Sequence, residues 1–472
     1  MAQTKKKGQI SRFDLVAVGA MAIIGALSAA VWVNGDRTPL HVTSFSWAEQ
    51  TLGAEDQQLT LAFNGPIDPE FLDVQIEPAL PGTLSSNDRA LVYTLAEPPI
   101  YGTAYQVSLQ GSFQDEEISF VRNVPTRDRL LAYIGVDEAE QGRLILYNLT
   151  QEQKSVLTPA DLVVTDVAIY GSRDRLLFSA YERYDEQGFS QQQLYTVTTG
   201  LEANATPQPS GRIHLLLDAQ SYQNVKFDVA EDGKTMVVQR VNRQNPAESG
   251  LWIVSADGTP RPLGIPAENF VIAPDGHTVA VEQSTGIALI PIDEGGSSQF
   301  YPGYSRILAF SADGTHKLLV KYNPDYTRSL FIISAEEDRE LFRTVGPIID
   351  CRFKSPETLF CLKTELIEDR GQYREEPYLA AIKVETNAEV PLLALPTYQD
   401  VQLSISPDRI SLLFDQVATS PPSRDRFPIT QQGQAIAAGL IWQLPLNDFP
   451  AFAPEEIVPE ELVAGFHPVW LP

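Results

Sequence analysis

The chain has few of the residues that build transition-metal centres, and it lacks the short motifs of common enzyme classes. Its 472 residues include two cysteines and five histidines, none of them at the spacing of a zinc site. The sequence contains no Gly-x-Ser-x-Gly elbow, no glycine-rich phosphate loop and no His-Glu-x-x-His pair. We therefore expect no catalytic residues, no metal and no cofactor.

Basic residues are also scarce. The chain has 35 lysines and arginines against 61 aspartates and glutamates, which gives a net charge of −26 at pH 7. Nucleic-acid binding requires clustered basic residues, so nucleic acid is not an expected partner. A hydrophobic content of 43% is that of a folded protein, and the length is too great for one ordinary core. Two or more folded units are expected.

The N-terminus has the pattern of a membrane anchor. Residues 1–12 carry three lysines and an arginine, and residues 15–33 then run without a charge. As a helix this run spans about 28 Å, enough to cross the hydrocarbon core. The basic flank predicts a cytoplasmic tail (1–12), a transmembrane helix (13–33) and a periplasmic or extracellular bulk. The alternative is a cleaved signal peptide, with small residues at 28–30 before the cleavage site.

Residues 38–124 alternate apolar and polar side chains in short runs separated by Gly, Pro, Asn and Asp. This period of two predicts strands of a β-sandwich, which are expected at residues 59–63, 74–76, 90–95, 105–109 and 118–121. The segment resembles the bacterial Ig-like domains of the SbsA type. The resemblance rests on Leu61 to Asp68, Ile76 to Pro78, Gly82 and Gly102 to Val107. It implies a unit that spaces or displays other modules.

From residue 125 onwards one phrase recurs: a short apolar strand, a tight turn and a second strand. The clearest copy is Phe270 to Gln283, with its turn at Pro274-Asp275-Gly276. Asp bonds its own backbone in such a turn, and Gly takes the positive φ that closes it. The turns fall near residues 232, 275, 313, 356 and 408, a spacing of roughly 40 to 50 residues. That is the period of a four-stranded propeller blade.

Counting strands over residues 125–472 leaves two unmatched ends. Residues 130–134, 143–147 and 155–157 supply three strands without an innermost one, and residues 465–471 supply an innermost strand without successors. Joined, they complete a first blade. The predicted fold class is therefore all-β: a transmembrane helix, an Ig-like sandwich and a seven-bladed propeller closed by the C-terminal strand.

The repeats resemble the TolB-type and prolyl-oligopeptidase-type propellers, whose turn reads Trp-Ser-Pro-Asp-Gly. The matching copies are Ile272 to Gly276, Phe310 to Gly314 and Ile405 to Asp408, with Arg409 in place of the last glycine and no tryptophan. The TolB-type resemblance implies protein partners in the periplasm. The oligopeptidase type normally precedes a hydrolase domain.

The candidate binding residues lie on long insertions, most of them between the second and third strands of a blade. The insertions cover residues 183–191, 241–249, 322–328, 363–377 and 418–439, and strand direction places them on one face. Contact surfaces concentrate aromatic residues and arginine. The predicted partner-binding residues are Tyr184, Arg243, Tyr326, Arg328, Tyr373, Arg374, Arg424, Arg426 and Phe427. Solvated loops without a partner are the alternative.

Cys351 and Cys361 flank the Ser355-Pro356 turn at equal distances, so antiparallel strands would bring them opposite each other. Either a disulfide or two buried thiols fits this placement. Two metal sites are conceivable but not expected: a calcium ring of the turn aspartates 232, 275, 313 and 408, and a pair of channel ligands at His277 and His316. Hairpin turns and exposed turn residues explain both without an ion.

The sequence favours a membrane-anchored, exported, non-catalytic protein of the bacterial cell envelope that binds or scaffolds other envelope proteins. The alternative is a propeller hydrolase or lyase acting on glycan or peptide through the central channel. Clustered His, Asp and Glu on the innermost strands would favour the enzyme. We expect those strands to be mostly apolar, with Asp228 and Asp350 as the exceptions.

Overall fold

The computed structural model describes Met21, residues 23–25 and most of residues 39–472. Within the latter range it leaves out residues 114–115, 171–172, 202–207, 231–232, 234, 256–257, 267–268, 294, 370, 398–399, 421–427, 429, 431–433 and 447–457. The predicted tail and most of the predicted transmembrane segment 13–33 therefore lie outside the described residues. In the part that is described, no helix combines the length and the apolar character that a membrane crossing requires.

The described part of residues 39–472 is all-β, with three short 3₁₀ helices at Pro69–Phe71, Gly188–Gln191 and Pro246–Glu248, whereas Met21 and residues 23–25 are α-helical. It divides into two compact units. The first comprises Met1–Thr51, Gln57–Glu97 and Ala104–Pro125. The second comprises Leu52–Asp56, Pro98–Thr103 and Thr126–Pro472. Two short segments from the predicted sandwich region thus belong to the second unit.

The first unit contains two antiparallel sheets around one core. Its strands are β1 (Val42–Phe45), β2 (Gln58–Phe63), β3 (Leu72–Glu77), β4 (Gly82–Asn87), β5 (Ala90–Leu95), β6 (Ala104–Phe113) and β7 (Glu116–Pro125). One sheet has the order β1-β2-β5-β4 and the other β3-β6-β7. Leu61 and Leu91 of one sheet pack against Leu72 and Leu109 of the other. The five predicted strands are confirmed; β1 and β4 were not predicted, because neither contains a buried side chain that would produce an alternating pattern.

The second unit contains five four-stranded sheets, each formed by consecutive antiparallel strands. We call them blades 2 to 6. Blade 2 is β11 (Leu162–Ile169), β12 (Arg175–Glu182), β13 (Gln193–Thr198) and β14 (Ile213–Leu217); blade 3 is β15 (Tyr222–Val229), β16 (Thr235–Asn242), β17 (Gly250–Ser255) and β18 (Pro260–Pro262). Blade 4 is β19 (Phe270–Ile272), β20 (Thr278–Gln283), β21 (Gly286–Pro291) and β22 (Gln299–Pro302); blade 5 is β23 (Arg306–Phe310), β24 (Lys317–Tyr322), β25 (Arg328–Ile333) and β26 (Asp338–Thr344). Blade 6 is β27 (Ile348–Ser355), β28 (Thr358–Asp369), β29 (Gln372–Lys383) and β30 (Glu389–Ala394).

The sixth sheet of this unit has seven strands and joins the two ends of the chain. Its order is β10 (Gln153–Val156), β9 (Leu144–Asn148), β8 (Leu130–Gly135), β34 (Glu460–Trp470), β33 (Ala435–Pro445), β32 (Ser411–Ser420) and β31 (Leu403–Ile405). The first half of β34 pairs with β33, and its second half, from Gly465 to Trp470, pairs with β8. The predicted pairing of the C-terminal strand with residues 130–134 is confirmed.

We call β8–β10 with the second half of β34 blade 1, and β31–β33 with the first half of β34 blade 7. The innermost strands lie side by side in the order β34, β11, β15, β19, β23, β27 and β31, and β31 lies beside β34 again. This succession is that of a β-propeller. Each pair of neighbouring blades also shares a hydrophobic cluster. Between blades 7 and 1 it includes Leu131, Leu413 and Trp470.

Two of the predicted insertions contain strands. β28 and β29 remain paired out to Asp369 and Gln372, so residues 363–377 form a β-hairpin. Likewise, β32 and β33 pair out to Ser420 and Ala435. The prediction of loops at these places was wrong, because the projecting hairpin from residue 365 bears mostly polar side chains and lacks the alternation of a half-buried strand.

The turns between the first and second strands of the blades have the predicted conformation. Gly233, Gly276 and Gly314 have φ values of 63°, 68° and 70°. Arg409, which replaces the glycine in blade 7, has a φ of 61°. The turn thus imposes a left-handed conformation on a residue with a Cβ atom, which costs about 1–2 kcal/mol.

We predict that Arg409→Gly stabilises the second unit by up to about 1 kcal/mol, since glycine takes this conformation without the steric cost, although it gains freedom in the unfolded chain. Urea unfolding of the full chain measures the change. Gly276→Arg, the reverse substitution in blade 4, should destabilise by a similar amount. An unchanged or lower stability of the Arg409→Gly variant would contradict this explanation.

Candidate functional site

Every blade places a polar residue at one level, either on its innermost strand or directly before it. Asp166, Lys226 and Asp350 each pair with the fifth residue of the following strand, counted from its first residue. Arg306 pairs with Val320, which stands as many residues after the glycine of its turn as Gln239, the partner of Lys226, does. We call the set of seven the inner polar ring: Asp166, Lys226, Asn269, Arg306, Asp350, Gln402 and His467.

His467 connects three blades within this ring. Its backbone N–H donates to Oδ2 of Asp415 in blade 7 at 2.7 Å. Its Nδ1 lies 3.4 Å from Oδ1 of Asp166 in blade 2. The other oxygen of Asp415 accepts a hydrogen bond from the backbone N–H of Gln402 at 2.6 Å. Since His467 belongs to β34, these polar contacts lie where the two ends of the chain meet.

Blades 3 and 6 contribute further charged groups, and blade 4 contributes uncharged polar groups that bind to them. Lys226 Nζ donates to Asn269 Oδ1 in the next blade. Asp228, two residues along β15, accepts a hydrogen bond from the backbone N–H of Ile272 at 2.9 Å. Arg352 Nε lies 2.9 Å from Asp350 Oδ2. Most of the ring is therefore paired with a neighbour.

Solvent reaches part of this ring. The side chains of Asp166 and Arg352 are each 43% exposed, although both lie on innermost strands. His467 and Asp350 are nearly buried, at 13% and 15%. A polar ligand could therefore contact Asp166 and Arg352 directly, with His467 and Asp350 behind them.

Burial shifts the pKa values of the ring residues, and of the two aspartates beside the ring, in opposite directions. It raises the pKa of Asp415 to about 6, against the opposing effect of His467. It raises the pKa of Asp228 and lowers that of Lys226. Burial acts to lower the pKa of His467 as well, but Asp166 and Asp415 outweigh it and raise that pKa. Such a set of groups can hold or exchange protons near neutral pH.

From the sequence, only Asp228 and Asp350 were expected as polar residues on the innermost strands. These strands are mostly apolar, as expected, but the other polar residues of the ring were missed. A β-bulge interrupts the first strand of blades 2, 3 and 6 at or near the ring position, which hides the period of two. A signal was nevertheless present. Lys226, Asn269 and Gln402 each stand six residues before the aspartate of their turn. Alignment of the repeats on that aspartate would have found them.

The predicted partner-binding residues fall into two groups. Tyr184, Tyr326 and Tyr373 are exposed by 80%, 89% and 67%. The arginines contact their own chain: Arg243 donates to the carbonyl oxygens of Ala219 and Ser190, Arg328 to that of Val345, and Arg374 to the carboxylate of Glu376. Arg424, Arg426 and Phe427 lie outside the described residues.

The turn aspartates accept hydrogen bonds from their own hairpins. Asp275 accepts from the backbone N–H groups of His277 and Thr278, and Asp313 from that of Thr315. Asp408 accepts from the hydroxyl of Ser406 in its own hairpin and also from the backbone N–H of Tyr101 at 3.0 Å, which ties the segment Pro98–Thr103 to blade 7. Among the residues that the structure covers, no group of three potential metal ligands is found. Asp232 is outside that set.

Cys351 and Cys361 are directly opposite in β27 and β28, with their Cα atoms 4.1 Å apart. The structure joins them in a disulfide. Both residues are fully buried and belong to the hydrophobic cluster between blades 5 and 6.

No family model and no curated protein matches the chain. Among solved structures it is similar to TolB from Acinetobacter baumannii, with 11% identity, a TM-score of 0.40, and coverage of 84% of this chain and 82% of that one. It is also similar to a putative 6-phosphogluconolactonase from Bacteroides fragilis (12%, TM-score 0.42, coverage 73% and 97%). A third is oligogalacturonate lyase from Vibrio parahaemolyticus (13%, TM-score 0.43, coverage 80% and 94%). Similarity at this level assigns no function.

We predict that Asp415 makes stability fall as the pH rises. Its folded pKa of about 6 lies above the value of about 3.9 in an unfolded chain. Its contribution is therefore fully present below about pH 4 and is lost as the pH rises through about 6. The raised pKa of His467 acts in the same direction, since its contribution is lost as the pH rises through its folded value.

The measurement compares urea unfolding of the native chain and Asp415→Asn at pH 5 and pH 8. The stability advantage of the native chain over the variant should shrink by about 1.4 kcal/mol between these values. Glu138→Gln, which alters an exposed carboxylate, serves as the control and should show no such change. An advantage that stays constant or grows with pH would contradict the prediction.

Proposed function

We propose that the protein is a membrane-anchored, exported component of a bacterial cell envelope that binds other envelope proteins and catalyses no reaction. In this proposal residues 13–33 form the anchor, the first unit is an SbsA-type Ig-like spacer, and the second is a seven-bladed TolB-type propeller. The C-terminal strand closes its ring. The loop face, meaning the connections between the second and third strands of the blades, binds the partner.

The observation that supports this proposal is the exposure of three tyrosines on the loop face. Tyr184, Tyr326 and Tyr373 belong to blades 2, 5 and 6 and are between 67% and 89% exposed. Tyrosine supplies a large contact area with few rotatable bonds, so its immobilisation on binding costs little entropy. Their separation over three blades suits a partner that spans the face.

The arginines of the loop face support the proposal indirectly. Arg243 of blade 3 donates to Ala219 and Ser190, and so ties the connection of blade 2 to its neighbour. Arg328 holds the loop after β26 through Val345. Connections that are fixed before binding lose less conformational freedom when a partner arrives. The arginines would thus position the surface, and the tyrosines would contact the partner.

Two features support export. The nineteen uncharged residues of 15–33 follow a basic tail, as in a membrane anchor with a cytoplasmic N-terminus. The Cys351–Cys361 disulfide is the second feature. Disulfides persist in oxidising compartments and are rare in the reducing cytosol.

A second candidate function is catalysis at the inner polar ring by a hydrolase or lyase that acts on glycan or peptide. The observation that favours it is the proximity of two carboxylates to His467. Nδ1 of His467 lies 3.4 Å from Oδ1 of Asp166, and the backbone N–H of His467 donates to Asp415 at 2.7 Å. A carboxylate beside a histidine is a common acid–base pair. If the protein turns over an oligosaccharide or peptide and Asp166→Asn loses this activity, the result would support catalysis in place of binding.

The test of the binding proposal is site-specific photo-crosslinking in the native membrane. Placed at positions 184, 326 and 373, the crosslinker should capture the same partner protein, identified by mass spectrometry. Control positions are Phe300 on the outermost strand of blade 4 and Phe71 in the first unit, which are 47% and 56% exposed. Capture from the control positions alone would contradict the loop-face assignment.

A further inference from the structure

The hairpin formed by β28 and β29 extends beyond the rest of blade 6. On one side the last bond to the blade is from Thr364 N–H to Pro347 O at 3.0 Å. On the other it is from Leu395 N–H to Pro377 O at 2.8 Å. From Glu365 to Asp369 and from Gln372 to Glu376 the strands pair with each other, and no third strand among the described elements pairs with them.

The direction of the free backbone groups follows from these bonds. In a strand the N–H and C=O groups of one residue point to the same side, and successive residues alternate. Since Thr364 donates away from β29, Leu366 and Glu368 also present their backbone groups away from it. The outer edge of β28 therefore offers a row of backbone donors and acceptors to an incoming strand.

The side chains beside this edge carry negative charge and exposed apolar surface. Between residues 365 and 376 there are five acidic and two basic residues. Glu365 lies opposite Glu376, a like-charge pair that weakens an isolated hairpin. Leu366 is 37% exposed and lies on the same face as Tyr373. Edge strands are usually protected by lysine or proline, and this edge carries neither.

We propose that the free edge of β28 binds an extended segment of the partner protein by strand addition, and that this segment alternates lysine or arginine with apolar residues. Backbone hydrogen bonds to Leu366 and Glu368 would provide the pairing. The apolar side chains would cover Leu366, and the basic ones, on the opposite face, would neutralise Glu365 and Glu376, which lie opposite each other in the hairpin. This inference rests on the proposed binding function and specifies the partner's chemistry.

The test uses a blocked peptide of four Lys-Val repeats and its Glu-Val counterpart, with binding to the full chain followed by fluorescence anisotropy. Leu366→Pro removes the outward N–H without removing a bond inside the hairpin, and proline is tolerated on edge strands. Leu366→Thr is the matched control that keeps the N–H. We expect the Lys-Val peptide to bind, Leu366→Pro to weaken it by about tenfold or more, and Leu366→Thr by about threefold at most.

The Glu-Val peptide should not bind, and higher ionic strength should weaken the Lys-Val peptide. Equal binding of the Lys-Val peptide to the native chain and to Leu366→Pro would show attraction by net charge alone and would overturn the inference. So would the absence of binding. Crosslinking at positions 184 and 326 separates the two proposals. If the native chain and Leu366→Pro capture the partner there equally well, the binding function stands and strand addition is refuted.

Discussion

The second unit depends on one shared strand. β34 gives its first half to β33 and its second half to β8, so a single segment completes both blade 7 and blade 1. The same segment places Trp470 in the hydrophobic cluster between those blades and His467 beside Asp415 and Asp166. Hydrogen bonding, apolar packing and buried charge therefore all meet at the junction of the chain ends. Because β34 is paired on both of its edges, the junction of the chain ends presents no open strand.

The inner polar ring and the loop face lie on different parts of the blades and have different physical character. In and beside the ring, most charged groups are paired, either with the next blade, as in Lys226 with Asn269, or within one strand, as in Arg352 with Asp350. On the loop face, Tyr184, Tyr326 and Tyr373 are mostly exposed. Groups already paired at the centre stabilise the arrangement of the blades, whereas exposed aromatic side chains gain contact area only with a partner. This contrast is why binding at the loop face is preferred to catalysis at the ring.

The sequence predicted the strands that have one buried face and the turns that close them, because both have local signals. It also predicted the pairing of residues 465–471 with residues 130–134, because one set began three strands of a blade that lacked an innermost strand and the other was an innermost strand without successors. It did not predict β1 or β4, which have no buried residue, or the outer parts of β28 and β29, which have no buried face. The inner polar ring was missed because its members are separated by about one blade in sequence and meet only when the blades are arranged side by side.

The central claim is that the C-terminal strand holds the second unit together, and differential scanning calorimetry of a chain lacking residues 465–472 tests it most directly. The deletion removes the pairing with β8 and the contribution of Trp470 to the cluster between blades 7 and 1. We expect the main unfolding transition of the second unit to become broad or to be lost, and an added peptide spanning residues 458–472 to restore it. A truncated chain that unfolds as cooperatively, and at the same temperature, as the intact one would contradict this claim.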